Sequence, residues 1–133
     1  MGELVPEIEA QFINRFVVKN RRQRLLFELS SNRRDNCIGG FAHRADEHLI
    51  AGCMHPYNLE SIEQLYKDML ALGCSTSGAH IVSISRSQEN SMPLWDALSD
   101  GLYMGTVIII ASGAVAAYYE SEPDHASEKY LIY

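Results

Sequence analysis

Hydrophobic positions along this chain change period part-way, from helical spacing in the first half to strand-like runs towards the carboxyl end. Behind Pro6, Glu7 and Glu9, the residues Ile8, Phe12, Ile13, Phe16 and Val17 recur at helical intervals and predict a helix to about Lys19. Residues 24–30 fit a short helix through Leu25, Leu26 and Leu29 or a strand through Leu25, Phe27 and Leu29, with the helix favoured. Ser30 or Ser31 can cap a helix with Ile38, Phe41, Ala42, Ala45 and Leu49 on one face and Gly52 at its end. Gly39 and Gly40 in its middle cost about 1 kcal/mol each relative to alanine, so the helix either breaks there or is closely packed. The clearest helix has Asn58 as cap, Glu60 and Glu63 in its first turns, Ile62, Leu65, Tyr66, Met69 and Leu70 as its buried stripe, and Gly73 as a left-handed stop.

Strands follow. Residues 79–85 alternate, with Val82 and Ile84 on one face and Ile81 on the other. Pro93 opens a short helix carrying Leu94, Trp95, Ala97 and Leu98, which Gly101 closes. The run 105–119 is the most continuously apolar in the chain, and Ser112-Gly113 divides it as a hairpin turn would. A two-residue turn sets Ile109 opposite Ala116 and Val107 opposite Tyr118 on one side, with Ile108 opposite Ala117 on the other. Both faces are apolar, so these strands need cover from helices or from another subunit. Were the strands at 79–85 and 107–111 parallel neighbours, the helix between them would make a right-handed crossover. Residues 129–133 can add an edge strand. The predicted class is α+β: N-terminal helices packed on a small mixed β-sheet with a C-terminal β-hairpin, in one domain over residues 1–133.

The rival for residues 101–119 is a membrane span, since the stretch is uncharged and 19 residues long. Its three glycines, its central Ser112, and flanks of Asp100, Glu120, Glu122 and Asp124 without an adjacent Lys or Arg favour the hairpin. No signal peptide is read at the amino terminus, Pro6 defeats the myristoylation pattern, and three cysteines (Cys37, Cys53, Cys74) cannot all pair, so a reducing cytoplasm is expected.

Net charge is −6, unevenly spread: eight basic residues stand against five acidic up to Arg44, and three against twelve after it. Such asymmetry serves either a charged partner or two faces that attract each other inside the fold, and the internal pairing is the simpler expectation. Arg15, Lys19, Arg21, Arg22, Arg24, Arg33 and Arg34 form a basic run that can hold phosphates, although a pI near 5.3 argues against a general nucleic-acid binder.

The chemistry-bearing cluster is His43, Asp46, Glu47, His48, Cys53 and His55. On a helix His43 and Glu47 share a face, so His43, Glu47, His48, Cys53 and His55 are candidate metal ligands. Their spacing matches neither HExxH nor paired CxxC, and a polar helix face with Cys53 as a small apolar residue explains them equally. Cys74, in a glycine-bounded loop before His80, is the best-placed thiol nucleophile, but no orienting motif accompanies it and catalytic residues are unassigned. Glu120 and Glu122 point to one side of an extended chain and can bind a cation, or more simply end a solvated strand. Glycine loops for phosphate are absent and no cofactor is implied.

The leading expectation is a small cytoplasmic protein-binding domain of inhibitor or immunity type, steered by its acidic half to a basic partner. Alternatives are a metal-binding protein or metal-dependent enzyme using residues 43–55, and a nucleic-acid or phosphate binder using residues 15–34. A symmetric homodimer through the sheet is a candidate assembly, and no membrane partner is expected.

Overall fold

The computed structural model describes residues 6–83, 91–102, 107–121 and 128–133, with residues 41–44 described by their backbone alone. Its α-helices are α1 (Glu7–Phe16), α2 (Arg22–Leu29), α3 (Arg34–His48), α4 (Ile62–Ala71) and α5 (Leu94–Gly101). The strands are β1 (Met54–Pro56), β2 (His80–Val82), β3 (Val107–Ile110), β4 (Ala117–Glu120) and β5 (Lys129–Ile132). They pair in the order β1-β5-β4-β3-β2, antiparallel throughout. The class is α+β, as the order of helical and strand-like segments predicts.

Successive residues of each strand go to opposite sides of the sheet. Val82, Ile108, Ile110, Tyr119 and Ile132 meet α1, α2 and α3 in one core. Ile81, Val107, Ile109, Tyr118 and Leu131 meet α4 and α5 in the other. The sheet is thus a middle layer covered on both faces by helices of the same chain, which supplies the cover that two apolar strand faces require. Among the described residues no helix is long and apolar enough to cross a membrane.

Three expectations are corrected. β2 and β3 are neighbours but antiparallel, so α5 makes no parallel crossover; strands apolar on both faces look alike in either sense, and periodicity does not separate the two. β5 is interior and not an edge strand, because β1, a segment with no strand expected, pairs along its outer side. The hairpin closes through a longer turn than Ser112-Gly113 alone: the Ala111 amide donates to the Ala116 carbonyl, and Ile109 lies opposite Tyr118, not Ala116. That slip of two residues leaves each strand side chain on its predicted face, because the side-chain period is two. Gly113 (φ +69°) and Ala114 (φ +53°) both take left-handed backbone in the turn, which lays the buried Ala114 against α1.

Helix ends follow local chemistry. The α4 cap is Ser61, whose hydroxyl accepts from the Gln64 amide, three residues beyond the predicted Asn58. Gly73 (φ +96°) does end α4, with its amide bonded to Leu70 and that of Cys74 to Met69. α3 continues unbroken through its glycine pair, and a methyl on Gly40 would meet nothing within 4 Å, so close packing is not its reason. The segment 24–30 is largely helical, as favoured. The outer part of the strand predicted at 79–85 lies outside the described residues.

Gly78 is held at φ +77°, and a Cβ there would sit 2.9 Å from Ser112 Oγ and 3.0 Å from Ser112 Cβ. Gly78→Ala adds left-handed strain to a clash with the β3–β4 turn, so it should lower the unfolding free energy by about 2 kcal/mol in urea titration. An unchanged midpoint would contradict this packing.

Candidate functional site

Glu9 occupies the buried stripe of α1, in step with Phe12, Ile13 and Phe16, and is 1 % exposed. A carboxylate placed there must find donors, since an unpaired buried charge is too costly to persist. Arg34, the first residue of α3, donates Nη1 to Glu9 Oε1 at 2.7 Å and Nη2 to Oε2 at 2.6 Å. His80 of β2 brings Nε2 to the same Oε2 at 2.6 Å. Arg34 Nη1 also donates to the Leu29 carbonyl, tying the end of α2 to the start of α3. Burial by itself would push the Glu9 carboxyl up; the hydrogen bonds and charges of Arg34 and His80 outweigh it and hold the group below its ordinary 4.5. The same contact with Glu9 raises the Arg34 guanidinium.

This cluster joins three segments that sequence reasoning kept apart: Glu9 as a helix-end acid, Arg34 in a basic run, His80 beside a cysteine. The legible signal was Glu9 at a core position of an otherwise apolar stripe. Beside it lies a cavity of about 20 Å³, walled by Phe12, Ile13, Leu29, Val82 and Ile108 with Glu9 as its polar edge. That is room for about one water, which needs two to four polar partners that these walls do not offer. The cluster therefore acts as a clamp between α1, α3 and β2.

The thiol candidates separate in space. Cys74 belongs to the α4–α5 core, whereas His80 faces Glu9 on the other side of the sheet. Burial pushes the Cys74 thiol up, and burial followed by the Glu28 carboxylate pushes Cys37 to about 12. Cys53 is half-buried in the turn before β1.

Of the predicted metal ligands, Glu47 is exposed and His48 half-buried at the end of α3, Cys53 follows, and His55 on β1 stacks on Tyr133 with ring centroids 3.8 Å apart. The side chain of His43 lies outside the described residues. Among the described residues no three His, Cys, Asp or Glu side chains converge on a metal position. Glu120, expected at a solvated strand end, is buried and accepts from the Tyr118 hydroxyl at 3.0 Å. Glu122 and Asp124 lie outside the described residues.

Among the described residues, exposed acids dominate one layer. Glu60, Glu63, Asp96 and Asp100 are exposed on α4, α5 and the approach to α4, with Lys67 as the basic residue among them. Trp95, 38 % exposed, stands edge-on to Tyr66 at 5.4 Å on this acidic layer. The opposite layer is mixed: Arg15, Lys19, Arg24 and Arg33 are exposed there together with Glu7, Asp35, Asp46 and Glu47. Between the two halves, the ion pair described is that of Glu9 with His80. Comparison with known proteins finds no family model that matches the chain, and neither a curated protein nor a solved structure matches it.

Two outcomes follow from this chemistry. Glu9→Gln leaves Arg34 and His80 without their acceptor charge, and should cost about 3–5 kcal/mol at neutral pH. Because the folded pKa of Glu9 is depressed, its contribution is complete above 4.5 and fades as pH falls through the lower folded value, so the wild-type advantage in denaturant titrations should shrink on acidification. Alkylation of the native protein at neutral pH should modify Cys53 well ahead of Cys37 and Cys74, read by mass spectrometry of peptides.

Proposed function

We propose that this chain is a protein-binding domain of inhibitor or immunity type, acting in the cytoplasm, and that the outer surface of α4 and α5 docks a basic protein. The observation that carries the reading is the part-open Trp95 on a layer that also exposes Glu63, Asp96 and Asp100, on the side of the sheet away from Arg15, Arg24 and Arg33. Aromatic anchors contribute most at interface centres, and an indole face attracts a Lys or Arg side chain. The surrounding carboxylates would steer a cationic partner and speed encounter. Buried, protonated Cys37 and Cys74 agree with a binding role over thiol chemistry.

A photo-crosslinker placed at Ser99, exposed on α5, should trap a basic protein from the native host after nuclease treatment. Asp96→Asn with Asp100→Asn should slow association with that protein by about tenfold or more, and high salt should do the same. Equal trapping from position 15, on the far layer, would refute the assignment of this face.

A further inference from the structure

A surface groove on the layer of α1, α2 and α3 arises from how α1 and α3 end. Val17 and Leu49 form an antiparallel bridge, in which the Val18 amide donates to the His48 carbonyl and the Ile50 amide to the Phe16 carbonyl, both at 2.8 Å. The single turn Lys19–Arg21 follows at once, so Arg21 is delivered beside His48, with Nη1 3.4 Å from Nδ1. Between them and α2 opens a groove of about 390 Å³ lined by Asn20, Arg21, Arg24, Leu25, Glu28 and His48. That volume lies in the range of small-molecule sites, about 300–1,000 Å³.

We propose that this groove binds a phosphomonoester carried on a small hydroxylated molecule, such as a sugar phosphate. Arg21 has no carboxylate partner among the described residues; its polar neighbour is an imidazole, so the guanidinium fork is available to an anion. Arg24 is engaged through Nε by Glu28 at 3.1 Å, which orients the side chain and leaves its terminal nitrogens for a second phosphate contact. Arg22 is turned away, its Nε donating to the Val17 carbonyl at 2.8 Å, and this bond braces the turn that carries Arg21. Glu28 on the wall disfavours a continuous polyanion but offers an acceptor to a hydroxyl, while Leu25 and Asn20 supply an apolar and an amide contact. A small ester with one phosphate and nearby hydroxyls fits that mixture better than a nucleic-acid backbone. The site is independent of the acidic face of α4 and α5.

Amide NMR of the whole chain at low salt, titrated separately with inorganic phosphate, ribose 5-phosphate and a mixed-sequence RNA, tests the assignment. Ribose 5-phosphate should shift residues 20–28 and His48 and bind more tightly than inorganic phosphate. Arg21→Gln should weaken it at least tenfold, and Arg33→Gln, which removes the same charge outside the groove, should leave it within twofold. If Arg21→Gln fails to fold, His48→Gln serves in its place with the same expected loss. Absence of shifts, equal losses in the Arg33 variant, or binding of RNA without binding of ribose 5-phosphate would each overturn the proposal.

Discussion

Everything in this architecture depends on a sheet whose inner strands β3 and β4 have no solvent-exposed face. All residues of β3, Val107–Ile110, are buried, and β4 beside it is buried along its whole length. A sheet of this kind must be covered twice, at about 25 cal/mol for each Å² of apolar surface removed from water. α1, α2 and α3 supply one cover, α4 and α5 the other. The acidic surface then follows from topology: α4 and α5 come later in the chain and take one side, apart from the helices that carry Arg15, Arg24 and Arg33.

Within the first layer the Glu9–Arg34–His80 cluster does what apolar packing cannot. Hydrophobic contacts between helices are non-directional, and a slide of one residue still buries most of the same area. Two parallel guanidinium bonds to one carboxylate, with an imidazole on the shared oxygen, accept one arrangement of α1, α3 and β2. Desolvating these groups offsets much of what their attraction contributes, so the gain lies in orientation more than in net stability.

The helices were legible because their periodicity is local. Leu65 and Met69 at the centre of the α4 stripe, and Gly73 behind it, meet the expectation directly. The sheet was legible in its faces but not in its pairing. Ile109 and Tyr118 point to the predicted side in a register shifted by two, since alternation reports parity alone. β1 was missed because three residues ending in Pro56 have no pattern of their own and become a strand only against β5. Chemistry fared likewise. The His-rich segment drew attention by density, whereas Glu9, Arg34 and His80 are scattered and only the fold makes them neighbours.

That scattering constrains how the chain is made. Glu9 and His80 are 71 residues apart, and β1 must wait still longer for β5. At translation speeds of about 5–20 residues per second, α1 is complete about 3–13 seconds before its imidazole partner exists. Arg34, 25 residues beyond Glu9, comes early in that interval, so the carboxylate in the apolar stripe can take its guanidinium partner first and its imidazole last. The clamp is thus closed in two steps, helix to helix before helix to sheet.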